Sequence, residues 1–551
     1  MSWKVQSTVS GGVKLSTAKS EAYTNTARKL CALADELSSL STSWQHAAMV
    51  ISNQSSAFEK VGGNVNYTTS PAFSNESSKS SLSVSECNRY SNECQRMSQK
   101  IQEIAALIAR ANNIYEDAEF RAKENLDNTV SFLTTIMPFN SIPFFAGAVG
   151  SMMKDSKNHT GFQKFAKWSN STKYIQQGTI RGLSQSLMIN PVTGLSIFIL
   201  GFAQITRGKN ITKSYKTTAL NFLKYFKRNF RRNFKSAVPF VSGAFSFISA
   251  NVNNKIQGNT LRVTRINQPW RKAEFVLPKQ GNTLRDALDN LTELGSGNLS
   301  VRPPLTNPDA ATIAIQRFKR ADGKTAWMVI IPGTDGKAHS PFGWEQNLEV
   351  MSHTSLARKQ ADSTRMVVEA MKRSGIQSKD PVVLVGHSQG GIVAASIASD
   401  YCKKYNIEHI VTAGSPIANH PIPKRTWVTS IEMDDELVPS LDGKENPRRN
   451  NWVTIHGKAL HVTEAQKPLP PGVTRFSGKK YSTQKFDNKG AFVNDIPEEG
   501  TLTHDLHYHC AAYDDALQLG SKSIVIQDEH FNKIIDGKLE STTLWQGVMK
   551  K

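Results

Sequence analysis

Gly386-His387-Ser388-Gln389-Gly390 is the stretch of this chain best equipped to do chemistry. It follows Pro381-Val-Val-Leu-Val385 and runs into Gly391-Ile-Val-Ala-Ala-Ser-Ile-Ala-Ser-Asp400. Apolar β-formers thus lead into Gly-x-Ser-x-Gly, and a small-residue helix follows, which is the setting of a nucleophile elbow. The turn is too tight for a Cβ beside the serine, so glycine flanks it. Ser388 is then held at the tip with its hydroxyl open. The helix N-terminus behind it favours the negative charge that develops on an attacked carbonyl. The chemistry expected of such a serine is nucleophilic acyl transfer.

Acyl transfer needs donors for the developing oxyanion. Ala326-Trp-Met-Val-Ile-Ile331 reads as a buried strand ending at Pro332-Gly333-Thr334-Asp335-Gly336. In serine hydrolases of this architecture one donor is the backbone after the nucleophile, here Gln389, and the other lies after an earlier strand, here Thr334. The competing reading of Pro-Gly-Thr-Asp-Gly is a plain turn, since each of its residues favours turns.

Three segments together resemble the class 3 (fungal-type) lipases and related bacterial α/β-hydrolases. They are the strand and Gly333-Thr334 with downstream Trp344-Glu-Gln-Asn347-Leu348, the elbow Gly-His-Ser-Gln-Gly-Gly, and Val411-Thr-Ala-Gly414-Ser415-Pro416. The resemblance spans roughly residues 310 to 515; Pro332 stands where the family commonly has arginine. It implies an α/β-hydrolase with a mostly parallel, doubly wound sheet and a Ser…Asp…His order along the chain.

The acid is expected after the strand Trp427-Val-Thr-Ser-Ile-Glu-Met433, in Asp434-Asp435-Glu436-Leu437-Val438-Pro439. An acid there accepts the imidazole N–H and stabilises the imidazolium. The Asp-x-x-Val-Pro pattern of general α/β-hydrolases selects Asp435, and the class 3 pattern Asp-x-Val-Pro falls on Glu436; Asp435 is the expectation. The base is expected in Thr503-His504-Asp505-Leu506-His507-Tyr508-His509. His504 comes first, at a loop-to-helix entry, followed in preference by His507 and His509. Three histidines at this spacing also suit a metal, but no complementary ligand cluster accompanies them. No metal and no cofactor are expected.

A chain of 551 residues is too long for one core, and two or three domains are expected. A net charge of +21 predicts attraction to anionic surfaces. Its five cysteines form neither a zinc spacing nor a dense disulfide framework. The N-terminus has no apolar signal-peptide core, so secretion would use a non-classical route.

Near the start, Leu30, Leu33, Leu37, Leu40, Trp44, Ala47 and Ile51 keep a 3-4 alternation. After a polar stretch from Ser52 to Ser85, Met97, Ile101, Ile104, Ile108, Ala111, Tyr115 and Ala118 repeat it. Two such stripes predict an antiparallel helical hairpin. It resembles the WxG/LxG-type substrates of type VII secretion, and Tyr115-Glu-Asp-Ala-Glu119 is similar to their Tyr-x-x-x-Asp/Glu tail signal; His46 replaces the glycine of Trp-x-Gly. The resemblance implies an export module with a helical secretion partner or chaperone. The alternative is an ordinary regulatory or dimerising helical domain.

Between the hairpin and the hydrolase, the apolar stretches Val130–Gly150, Leu195–Ala203 and Val238–Ala250 are too short or too broken to span a bilayer. Arg207 to Lys235 carries ten Lys/Arg and no acid, with Phe222, Phe226, Phe230 and Phe234 at helical spacing. A basic, aromatic-striped helix suits an anionic lipid surface, or equally a packed helix with a solvated face. No nucleic-acid motif accompanies the charge, and no nucleic-acid partner is expected.

The expected organisation is a hairpin at 1–128, a helical middle that engages membranes at 129–255, and the α/β-hydrolase at 256–551. The expected function is a secreted bacterial lipase or phospholipase effector, a toxin countered by an immunity protein. Ser388, Asp435 and His504 would form its triad, with Thr334 and Gln389 at the oxyanion. The alternatives are a non-catalytic membrane-perturbing toxin or secretion-associated binding protein, and an acyltransferase or thioesterase with the same triad.

Overall fold

Alternating apolar strands and amphipathic helices produce a sheet covered on both faces. The computed structural model describes residues 2–12, 17–62, 71–111, 116–141, 143–144, 146–147, 168–169, 171–189, 237–239, 241–243, 246, 257–266, 282–295, 309–337, 339–462, 491–493 and 503–551. Its strands are β1 (Ser2–Gly11), β2 (Thr260–Arg265), β3 (Ala311–Lys319), β4 (Thr325–Ile331), β5 (Pro381–His387), β6 (Asn406–Ala413), β7 (Trp427–Met433), β8 (Trp452–Val462), β9 (Ala491–Val493) and β10 (Lys538–Lys550). They form one sheet in the order β2-β10-β3-β4-β5-β6-β7-β8-β1-β9. Only the central run from β4 to β8 is parallel. Both flanks are antiparallel, so the sheet is mixed rather than mostly parallel.

The helices are α1 (Thr17–Gly62), α2 (Pro71–Ala111), α3 (Glu116–Ile136), α4 (Gln176–Ile189), α5 (Leu284–Gly295), α6 (Gln346–Val350), α7 (Ser355–Gln360), α8 (Asp362–Arg373), α9 (Gln389–Asp400), α10 (Leu506–Gln518) and α11 (Lys522–Ile534). The core strands are apolar at successive positions because both faces are covered. Val383 and Val385 of β5 pack with Leu288 of α5, Tyr513 of α10 and Phe531 of α11. Val382 and Leu384 point the other way, into a second core with Val367 of α8 and Val393 of α9.

The chain divides into two compact units, residues 15–115 and residues 1–14 with 116–551. This corrects the boundary expected at residue 128. Ser2–Gly11 is not part of the helical module: β1 pairs antiparallel with β8 from Ser2–Val462 to Gly11–Val453. The helical unit is therefore an insertion between a sheet strand and the rest of the hydrolase. The described residues from 116 onward likewise fall in the hydrolase unit.

Within the helical unit, α1 runs unbroken through Trp44-Gln45-His46 and past Ser52, where the polar stretch begins, to Gly62. Small residues at seven-residue spacing make the contact with α2: Ala27, Ala34, Ser41 and Ala48 on one side, Ser91, Ser98 and Ala105 on the other, all buried. The Ser41 hydroxyl meets Ser91 at 2.9 Å, and Ser98 Oγ donates to the Ala34 carbonyl at 2.7 Å. Leu33, Leu40, Met97 and Ile104 are exposed instead. Tyr115 lies outside the described residues.

In the hydrolase unit, α3 and α4 pack side by side in the same direction. Gly178 N donates to Asp127 Oδ1 at 3.1 Å, and further along Thr135 Oγ1 donates to the Gly182 carbonyl at 3.2 Å. This pair is fastened to the loop after β7. Lys123 meets Glu445 at 2.5 Å, and Gln176 of α4 donates to the carbonyl of Ser169, whose Oγ donates to the Asp435 carbonyl. Leu195–Ala203 and Arg207–Lys235 lie outside the described residues, as does most of Val238–Ala250. Among the described residues no helix is long and apolar enough to cross a membrane.

Candidate active site

The strand end at β5, the turn and the start of α9 place Ser388 at φ 51°, ψ −122°. Among the described residues it is the one non-glycine residue with positive φ. Such a conformation costs on the order of 1–3 kcal/mol and persists only where the surroundings impose it. They do so here. Ser388 N donates to the Ala413 carbonyl at 2.9 Å, and Ser415 Oγ donates to the Ser388 carbonyl at 2.9 Å. A Cβ on Gly386 would run into the Gly390 backbone, and one on Gly390 into the carbonyl of Ile331. Close approach of β4, β5 and α9 therefore demands both glycines of the motif.

The loop after β4 lies against Ser388. A Cβ built on Gly333 would stand 3.0 Å from Ser388 Cβ. The loop is braced from within: Asp335 accepts from Ser340 Oγ at 2.7 Å and from Lys337 N at 3.1 Å. Thr334 Oγ1 accepts from Asn347 Nδ2 at 3.2 Å, which ties the two parts of the Gly-Thr…Trp-x-x-Asn segment together. The Gln389 side chain is buried and donates to the Gly343 carbonyl at 3.0 Å, so only its backbone is placed at the α9 N-terminus.

The acid next to His504 is Glu436, not Asp435. Glu436 is 4% exposed, and its Oε1 accepts from His504 Nδ1. Its Oε2 faces His509 Nε2 at 3.0 Å and accepts from Met433 N at 3.2 Å. Asp435 makes no hydrogen bond to His504; its carbonyl is taken by Ser169, and burial raises its carboxyl to about 6. Gly414 supplies the physical reason. It sits at φ 58° beyond β6, and a Cβ there would collide with Glu436 Oε1 and stand 2.9 Å from His504 Nδ1. The longer glutamate side chain uses that gap to reach back from the turn after β7. Burial opposes ionisation of Glu436, but His509 and His504 outweigh it and hold the carboxyl well below the usual range.

His504 is joined by two histidines whose placement sequence reasoning did not foresee. His387 Nε2 donates to the His504 carbonyl at 2.9 Å, and the two rings lie 4.6 Å apart. Burial, then the neighbouring His504 and His509, push His387 down to about 3, so it is neutral. His509 is fully buried against Glu436. His507 is turned away: its Nδ1 meets Asp505 at 2.5 Å, and Asp505 caps α10 by accepting from His507 N. Among the described residues no group of three or more His, Cys, Asp or Glu is arranged to hold a metal ion. The Glu436-Leu-Val-Pro register was the signal for the acid; the positions of His387 and His509 had none.

A lone serine at positive φ, a loop against it, and an imidazole oriented by a buried carboxylate are the parts of acyl-transfer chemistry. A family described as a PGAP1-like alpha/beta domain matches residues 345–455, from the start of α6 into β8. No curated protein and no solved structure matches the chain. The matched stretch carries the elbow and Glu436, and with the sheet it makes the fold of the α/β-hydrolase type.

Proposed function

We propose that this chain is a serine hydrolase of lipid esters, with Ser388 as nucleophile, His504 as base and Glu436 as the acid. The observation that carries the reading is the strained backbone of Ser388, which a merely structural turn has no reason to keep. With Nδ1 of His504 given to Glu436, its Nε2 is the nitrogen that takes the serine proton. Ser388 Oγ attacks the ester carbonyl, the alcohol leaves with the proton returned by His504, and water then releases the acyl group by the same route. Backbone N–H groups of Thr334 and Gln389 serve the oxyanion.

The preference for lipid is supported by the layer fastened to the acid loop. At the far ends of α3 and α4, Phe132, Leu133, Ile136, Met137 and Ile189 are each more than half exposed. An apolar tip on a chain of net charge +21 suits an anionic lipid interface. We further propose that the separate helical unit serves export by a helical-substrate route, a role supported by its independence from the hydrolase sheet. A hydrolysis assay on a panel of phospholipids and neutral glycerides, with Ser388→Ala alongside, tests the enzyme. Activity surviving in a folded Ser388→Ala protein would sink it.

A further inference from the structure

We propose that His509 is a cationic positioning residue: it clamps the second oxygen of Glu436 and balances its charge beside His504. The proposal rests on the triad reading given above. Both nitrogens of His509 face acceptors. Nδ1 is 3.0 Å from the Asp505 carbonyl, which can only accept, and Nε2 is 3.0 Å from Glu436 Oε2. A neutral imidazole has one N–H, and two acceptors require two. The alternative puts a proton on Glu436, but that carboxylate also receives Met433 N and His504 Nδ1, and donors gathered around a carboxylate keep it ionised.

The groups facing His509 leave the balance clear. Glu436 comes from the loop after β7, the neutral His387 ring lies at 5.9 Å on β5, and the His504 ring lies at 6.3 Å. Asp505, at the head of α10, gives His509 its carbonyl and directs its carboxylate to His507. Glu436 raises the proton affinity of His509 against the effect of burial. One negative and one positive charge therefore flank His504. Without the positive one, the negative charge of Glu436 would stand unopposed beside the site.

The test is the pH dependence of kcat/KM on p-nitrophenyl butyrate, measured with the full-length wild type and with His509→Gln. The acidic limb should move to higher pH by about one pH unit in the variant. His509→Lys, which keeps the charge, should hold the limb near its wild-type position. A fall in kcat/KM that is uniform with pH would mean that His509 only packs, and would overturn the proposal. Should these variants not fold, selective 15N-histidine spectra of the His507→Gln protein at pH 8 decide the matter. One buried histidine with both ring nitrogens protonated is expected there, and neutral histidines alone would refute it. That reading is independent of Ser388→Ala, whose retained activity would instead remove the triad itself.

Discussion

Ser388 holds backbone strain that folding does not need and that the proposed attack on an ester would explain. Ser388→Gly should therefore raise the thermal midpoint, by the equivalent of about 1 kcal/mol, while ester hydrolysis disappears. Calorimetry and a p-nitrophenyl ester assay on one preparation check both halves. The neighbouring acids separate by role. Glu436→Gln should lower kcat by on the order of ten-thousandfold, as expected when the group that fixes the histidine tautomer is lost. Asp435→Asn should cost less than tenfold; equal losses in the two variants would refute the assignment of Glu436. Asp435 should instead show in stability. Its folded carboxyl sits near 6 against an ordinary 3.8, so the folded state binds the extra proton between those values. Relative to Asp435→Asn, the wild type should lose roughly 2 kcal/mol as pH rises from about 4 through about 6. Urea unfolding at pH 4.5 and pH 7 measures it.

Helices α1 and α2 meet through alanine and serine rather than leucine, so substitution should act opposite to hydropathy. Ala34→Leu would force a larger side chain into a seam where Ala34 also receives the Ser98 hydroxyl. It should destabilise the hairpin by about 1–3 kcal/mol. Leu40→Ala removes an exposed side chain and should change stability by less than about 0.5 kcal/mol. Circular dichroism melts of the two variants give the comparison, and a larger loss for Leu40→Ala would contradict the seam. The α3–α4 pair is tied to the loop that carries Glu436 by Lys123–Glu445 directly and by Gln176 through Ser169, which donates to the Asp435 carbonyl.

Across the whole molecule, the first eleven residues matter to the hydrolase although the next hundred do not belong to its sheet. Removing residues 1 to 125 takes away β1, which stands between β8 and β9. The product should be insoluble or inactive. Replacing residues 15–115 by a flexible Gly/Ser linker keeps β1 and should leave soluble-ester hydrolysis within about threefold of the wild type. Activity in the first deletion, or its absence in the second, would refute the inserted arrangement. Binding of the whole chain to vesicles, read by sedimentation, should rise with anionic lipid and fall as salt shortens the Debye length to about 8 Å at 0.15 M.

The elbow was legible in the sequence because its causes are local: a strand of apolar residues, glycines where two backbones touch, and a helix that starts at once. Heptad spacing made the hairpin legible for the same reason. Which face of each heptad turns inward was not, because the choice depends on how closely two helices approach, and small residues permitted an approach that leucines would have blocked. The acid was ambiguous between Asp435 and Glu436 in sequence, since both follow the strand. The proposed choice of Glu436 turns on Gly414, just beyond the neighbouring β6, whose missing side chain leaves room for the longer carboxylate beside His504. The place of β1 had no local signal at all. Its partner, β8, begins at Trp452, and a strand's partner is chosen by the open edge that the folded sheet presents to it.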